Sequence, residues 1–521
     1  MQKALFKQDK QGEILLFPSR LDENIPEMHL VRVVNRVVDS MDLSSLLSTF
    51  KGGGTTAYHP GMLLKILLYA YCLKIYTGRK IANALRSDIT FMWLSGKSTP
   101  NFNTINSFRR SRLKDTIENV FKELLLFMFD QGYIRLEDYF CDGTTLQADA
   151  NKHKLIWKKN AERYKAEVES RIAATLKSID ELNEAEDRLY GDKDLPQMGD
   201  VKNITEETLR QATEKLNKAI KSDDKEKAKK GKSLQRQLET DQVRKQIYQE
   251  QSDLCGNRSG YSKTDPDASP MRMKECSDDL RPGYNGIIGT ENQFITGVSV
   301  HNNPNDGTCL KAHMEKVQRL HPKKIERVIA DAGFGTEENY EYLKKEQIES
   351  VMKYPSFDKE NTKNYKENPY LKEHMPYDQV SDSYLCPNGK RLLHQGNVTD
   401  YNKNGYPSVS RLYECESCKG CPFFDKCGGH RENEANRTIK VNENLERHKS
   451  TTRETLKSDA GKCLMKTRGH DVETCFGDIK HNTLFRRVHL RGIEKVNVEF
   501  TVIAMSHNIR KMNICLMKKA I

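Results

Sequence analysis

The chain has 521 residues, 85 Lys and Arg against 73 Asp and Glu for a formal net charge of +12, and a 36% apolar share. That is the length of about three to four domains, with enough apolar residues to fill a core. The longest apolar stretches, 62–73 (interrupted by Lys65) and 123–129, fall short of the ~20 residues that span a bilayer, which excludes a membrane protein. The first 17 residues show neither a continuous apolar run nor a small-residue cleavage site, so a cytoplasmic protein is expected.

In chain order, apolar positions 30, 33, 34, 37, 38 and 41 follow helical spacing. Pro60 opens a second helix reaching about Thr77. Residues 78–88 read as a short helix with Ile81, Ala84 and Leu85 inward. A further helix runs from about Asn103 to Phe129 and stops at Gly132. Residues 20–132 are therefore expected to be all-helical, and 1–132 is set off as a helical DNA-binding or accessory domain. Arg79, Lys80, Arg86, Arg109, Arg110 and Arg112 read equally as phosphate contacts or as the ordinary surface of a helical cap.

The character changes after Gly132. Residues 133–150 (YIRLEDYFCDGTTLQADA) read as a strand. Residues 151–259 then form a charged helical insertion: 151–250 hold 23 basic and 20 acidic residues, no cysteine and one proline, Pro196. Residues 283–300 read as two strands around a turn at Thr290–Asn292, and 308–322 as a helix. A buried strand, Val328–Ala330, ends in Asp331 and a Gly-containing turn. Strand, strand, strand, helix, strand is the order of a mixed α/β sheet. It is also the order of a ribonuclease-H-like core, here spread over 133–150 and 260–521.

Two aspartates close apolar strands: Asp142 after Tyr139-Phe140-Cys141, and Asp331 after Val328-Ile329-Ala330. Strand ends are rigid, so carboxylates there hold hard cations with little reorganisation. Each aspartate alone reads equally as part of a turn. A third carboxylate lies in ETCFGDIK (473–480). On a helix, Val472, Cys475, Phe476 and Ile479 form an apolar stripe, with Glu473 and Gly477 one turn apart and Lys480 returning to nearly the same face. Such a row suits a metal beside a phosphate: Glu ligates, Gly leaves room, and Lys supplies a point charge. An ordinary surface Glu–Lys pair fits the spacing as well.

The segments CDGTTLQADANK (141–152), YSKTDPDASPMRMK (261–274), VIADAGFGTEENY (328–340) and ETCFGDIK, with FRR and RG downstream, resemble the DDE transposases of bacterial insertion sequences. The resemblance runs from roughly residue 20 to 515, and is to the subset with an N-terminal helical domain and a cysteine cluster. It implies a ribonuclease-H-like domain in which Asp142, Asp331 and Glu473 hold catalytic Mg²⁺ (or Mn²⁺). It also implies double-stranded DNA as partner, both element ends and target, and a homodimer on that DNA. The implied activity is cutting and joining of phosphodiester bonds at the element's ends by two-metal-ion catalysis. A related signature, Tyr-x2-Arg-x3-Glu-x6-Lys, is met by Glu473 and Lys480. Arg468 sits one residue too far upstream and Lys466 occupies the tyrosine's place, so neither of those roles is assigned. Two other readings stand beside this one: a non-enzymatic DNA-binding protein derived from a transposase, and a metal-dependent nuclease without strand transfer.

Residues 431–521 hold 19 basic and 11 acidic residues, so two-thirds of the chain's excess charge lies there. A local basic surface is the footprint of a polyanion. Lys480, Arg486, Arg487, Arg491, Lys495, Arg510 and Lys511 are the candidate DNA contacts. Cys386, Cys415, Cys418, Cys421 and Cys427 fall within 42 residues, in an insertion at 380–430. A tetrahedral thiolate site needs four ligands. Cys386, Cys418, Cys421 and Cys427 are the expected set for a structural Zn²⁺, with Cys415 spare and a metal-free reading also open. Trp93 reads as core, while Trp157 is open between packing and holding a flipped base.

Overall fold

The computed structural model describes residues 20–50, 56–190, 206–220, 225–273, 276–427 and 435–520. The N-terminal stretch read for a secretion signal and Pro196 lie outside the described residues. The chain forms two units: Thr145–Tyr284 with Asn302–Pro304 is one, and the remainder is the other.

The larger unit begins with α1 (Leu30–Asp39), α2 (Ser44–Leu47), α3 (Pro60–Cys72), α4 (Gly78–Ser87), α5 (Ile89–Leu94), α6 (Phe102–Ser107) and α7 (Ile117–Asp130). The N-termini are capped as the sequence dictates. The His29 ring accepts from Val31 N, Pro60 opens α3, and the Asp88 carboxylate accepts from Thr90 N. Val31, Val34, Val37 and Val38 of α1 are buried, as the helical spacing predicts.

The single helix expected over 103–129 is broken. Phe108–Arg112 winds as a π-helix between α6 and α7. The cause is Arg109, which turns inward, is buried, and donates to Tyr71 Oη (2.5 Å) and Tyr76 O (3.0 Å). A π-bulge is a common way for a helix to re-aim one side chain.

Strand β1 (Asp138–Gln147) carries the chain into the smaller unit, which contains β2 (Leu155–Trp157), α8 (Lys158–Tyr190), α9 (Glu206–Ile220), α10 (Lys225–Cys255), β3 (Gly260–Ser262) and β4 (Ser269–Met273). β2 and β3 pair antiparallel. The three helices enclose a core of Val168, Ile172, Leu176, Ile179, Ala212, Leu216 and Leu238. A buried Lys215–Asp180 pair (2.7 Å) lies among them. The charged insertion is thus a three-helix unit with its own apolar interior.

β5 (Cys276–Glu291) returns to the larger unit and turns at Asn292–Gln293 into β6 (Phe294–His301). Both turn residues have positive φ, as a tight hairpin requires. Then come α11 (Leu310–Leu320), β7 (Arg327–Ala330), α12 (Glu337–Lys345) and β8 (Glu349–Met352). Within this unit the strands lie in the order β6-β5-β1-β7-β8. β5 and β6 are antiparallel, whereas β1, β7 and β8 are parallel. Tyr139, Cys141, Val328 and Ala330 face a core shared with Leu310, Met314 and Val317 of α11 and with Tyr340 and Leu343 of α12.

After α13 (Lys363–Lys366), a second sheet runs β13-β12-β11-β10-β9, from β9 (Tyr377–Asp378), β10 (Ser383–Leu385), β11 (Arg391–Tyr401), β12 (Pro407–Cys415) and β13 (Thr438–Val441). The chain closes with α14 (Glu443–Lys457), α15 (Asp459–Gly477) and α16 (Ile493–Ala520). α15 packs against β7 and β8, and α16 against β6, α3 and α1. No helix among the described residues is long and apolar enough to cross a membrane.

Candidate functional site

Strands β1 and β7 pair in parallel with Cys141 opposite Ala330. Asp142 and Asp331 follow this pair, so the register brings the two carboxylates to one level. β1, however, runs on to Gln147, so Asp142 lies within its strand rather than at the end expected from the sequence, and Asp331 alone follows a strand end. Side chains alternate along a strand. Cys141 and Ala330 enter the core, so Asp142 and Asp331 take the other face with Phe140 and Ile329. The Asp142 carboxylate accepts from Gly143 N (2.8 Å), and that of Asp331 from Gly333 N (2.9 Å). These bonds fix both side chains to the backbone that follows them.

A third carboxylate joins them. A Cβ on Gly143 would collide with Asp306 Oδ1. One point beside Gly333, where its Cβ would stand, is 3.1 Å from Asp331 Oδ1 and 3.5 Å from Asp306 Oδ2. The Asn285 amide donates to Asp306 Oδ1 at 2.6 Å. Burial first, then the charges of Asp142, Asp306 and Asp331, push the Cys141 thiol well above its ordinary value. The sequence gives Asp306 no distinction, because Asn305-Asp306-Gly307 reads simply as a turn.

α15 brings a cation to this group. Arg468 Nη1 lies 3.4 Å from Asp142 Oδ2. Arg468 Nε and Nη1 are buried without a hydrogen-bond partner. Glu473, five residues on, is exposed, and the nearby Gly469 has its Cβ position 3.8 Å from Glu473 Oε1. Val472, Cys475 and Ile479 are buried, as the apolar stripe predicts. The α-helix ends at Gly477, and Asp478–Asn482 winds as a π-helix. Lys480 therefore leaves the regular helical row that starts at Glu473. The wider turn centres on Asp478, which pairs with His507 Nδ1 (2.7 Å) and with Arg510. Among the described residues no group of three or more His, Cys, Asp or Glu side chains is gathered as the ligands of one ion. Asp142 and Asp331 follow paired residues of adjacent strands, and Glu473 is exposed on α15.

The basic candidates separate by environment. Arg510 is held by Asp478, and Lys511 donates to Gln293 Oε1 (2.9 Å) with its ammonium over the Phe294 ring. Lys495, near the start of α16, is half-buried. Arg486, Arg487 and Arg491 are exposed on the loop between the π-turn and α16, whose Phe485, Val488 and Leu490 are buried. In the helical region Arg109 is no phosphate contact: its guanidinium stands 3.7 Å from the fully buried Glu499. Burial pushes the Glu499 carboxyl up, but the His489 hydrogen bond and the Arg109 charge outweigh it and hold it below the usual range.

All five clustered cysteines, Cys415 included, line one cavity of about 20 Å³ in the second sheet, with Phe423, Phe424 and Arg437. Among the described residues none of them is in a disulfide. Arg437 N donates to Cys418 Sγ (3.2 Å), and Arg437 Nη1 to Cys427 Sγ (2.9 Å). Cys386 opens a tight turn in which Gly389, at φ +75, donates to Cys386 O (2.8 Å).

Two stretches of the chain match known protein families. Residues 385–513 match the family described as transposase DDE domain. Residues 19–111 match that described as transposase domain (DUF772). The first stretch holds Glu473, the cysteine cavity and the exposed arginine loop, and the second holds α1 to α6. Asp142, Asp306 and Asp331 lie outside both. Among curated proteins none matches the chain.

Proposed function

We propose that this chain, which belongs to the DDE-type transposases of insertion elements, cuts and joins phosphodiester bonds at the ends of its element. The observation that carries the reading is the parallel register Cys141↔Ala330, which brings Asp142, inside β1, level with Asp331, just past the end of β7. The strand order β6-β5-β1-β7-β8, antiparallel on one side and parallel on the other, supports a ribonuclease-H-like core.

Asp142 and Asp331 fit a hard divalent cation in donor type and in rigidity. They would hold Mg²⁺ or Mn²⁺, with Glu473 as the further ligand once α15 brings it in. A divalent ion there supplies charge neutralisation at the phosphate and lowers the pKa of the attacking hydroxyl. Gly143 and Gly333 leave room for Asp306 beside the pair, and Asp306 adds negative charge there. Arg468 balances Asp142. Arg486, Arg487 and Arg491 meet the DNA backbone, with Lys480 and Lys495 nearby. Two ends must be joined, which favours a homodimer on DNA.

For the cysteine cavity, thiolate chemistry would suit a structural Zn²⁺ held by Cys386, Cys418, Cys421 and Cys427, although among the described residues the four sulfurs are not gathered as the ligands of one ion. The N–H groups of Arg437 already donate to two of those sulfurs, as outer partners of a thiolate site do.

A supercoiled-plasmid nicking assay with Mg²⁺ tests cleavage, and a paired-end integration assay tests joining. Nicking without integration would leave a nuclease. Binding without nicking would leave a DNA-binding protein.

A further inference from the structure

We propose that Glu499 is a positioning residue for DNA binding: together with Tyr71 and Arg109 it holds the loop 484–491 so that Arg486, Arg487 and Arg491 face outward to DNA phosphates. The proposal rests on the reading of the chain as a DNA-acting protein and adds how the contact surface is built.

Glu499 sits in the apolar run of α16 and is fully buried. A buried carboxylate persists only where donors replace its water. Its partners are the loop on one side and the helical N-terminal region on the other. Oε2 accepts from the backbone N–H groups of His489 (2.7 Å) and Leu490 (3.0 Å). Oε1 stands 3.0 Å from His489 Nδ1 and accepts from Tyr71 Oη at 3.2 Å. Arg109 Nη1, 3.7 Å away, supplies the balancing charge. A second tie runs from Tyr76 Oη to Thr483 O (2.7 Å), and the Tyr76 ring packs on Phe485.

Two consecutive backbone N–H groups bound to one carboxylate oxygen fix the direction of the chain at 489–490. With Phe485, Val488 and Leu490 anchored inward, the intervening arginines have only the outer face. Tyr71, Tyr76 and Arg109 all lie within residues 19–111, whereas the loop and Glu499 lie within 385–513. The two family segments thereby form one contact unit, and the inward turn of Arg109 that breaks the helix at 108–112 gains a purpose. DNA is chosen as the partner because exposed guanidiniums on a fixed backbone suit the regular spacing of phosphates.

The test uses the full chain and a labelled random-sequence DNA duplex, titrated at several KCl concentrations. The variants are Glu499→Gln, Tyr71→Phe and the triple Arg486→Ala/Arg487→Ala/Arg491→Ala, singly and combined. The triple variant should weaken binding and lower the salt slope by about one unit per arginine. Glu499→Gln should weaken binding about 10-fold in the natural chain, yet less than about 2-fold on top of the triple variant, because it acts through those arginines. Tyr71→Phe removes one donor and leaves the buried charge pair intact. It should weaken binding in the same direction with a smaller loss of thermal midpoint than Glu499→Gln, and it carries the test, at a temperature where it is fully folded, if Glu499→Gln fails to fold. Equal losses from both substitutions in both backgrounds would overturn the positioning role. A triple variant that binds with the natural affinity and slope would instead remove the DNA-contact reading on which the proposal rests.

Discussion

Arg468 Nη1 lies 3.4 Å from Asp142 Oδ2, with both side chains only 13% exposed. The guanidinium therefore occupies the side of Asp142 that faces α15, and its Nε and Nη1 have no hydrogen-bond partner among the described residues. Asp331, the neighbour of Asp142 in register, has no such cation among the described residues.

This asymmetry separates the two aspartates in stability. Asp142→Asn strands a mostly buried guanidinium and should cost about 1–3 kcal/mol. Asp331→Asn keeps an oxygen for the Gly333 N–H and should stay within about 0.5 kcal/mol. Urea denaturation at neutral pH measures both. Equal losses would show that Arg468 does not depend on Asp142. Both variants should still bind DNA and fail to cut it.

Acid should weaken the larger unit through its buried histidines. Burial, then the nearby Lys316 charge, pushes His301 down to about 4. Burial does the same to His321, against the Thr296 carbonyl. The unfolded chain titrates at the ordinary 6.5, so it takes up protons first. The stability these rings contribute is fully present above that value and is lost as pH falls toward about 4, on the order of 3 kcal/mol per ring. Glu499 and Asp478, held below the carboxylate range, add loss in the same direction at lower pH. The urea midpoint should be flat from about pH 8 to 7 and fall below about 6.5. A midpoint unchanged down to about pH 4.5 would contradict buried neutral rings at these positions.

The cysteine cavity should deliver one zinc per chain. Cys418→Ser and Cys421→Ser should each lose it and lower the thermal midpoint, whereas Cys415→Ser should keep it. Cobalt substitution would report the thiolate shell independently of DNA cleavage. Freshly purified chain with five titratable thiols and no zinc would rule this out.

The parts of this architecture that were legible in the sequence are those written locally. Asp142 and Asp331 announce themselves because each ends a short apolar run, and β1 and β7 form where those runs lie. The hairpin and the helix opened by Pro60 follow from the same local signals, although the turn falls at Asn292–Gln293 rather than Thr290–Asn292 and α3 ends at Cys72 rather than near Thr77. Glu473 is singled out only by the family resemblance: on spacing alone it is a surface carboxylate, and it is exposed in the fold. Asp306 was hidden because its role arises from Gly143 and Gly333, distant in sequence and close in space. Arg109 looked like surface because its partner, Glu499, lies 390 positions further on and is itself concealed in an apolar helix. The apolar interior of the charged insertion was masked by its charge, which lines the outside of α8 and α10.

The most direct test of the central claim is Mg²⁺-dependent cleavage of a DNA fragment carrying the element's own ends, with the natural chain beside Glu473→Gln. Both proteins should bind the fragment, and only the natural chain should cut it, with cutting lost when Mg²⁺ is chelated. Tight binding by both with cutting by neither, or equal cutting by both, would contradict the account.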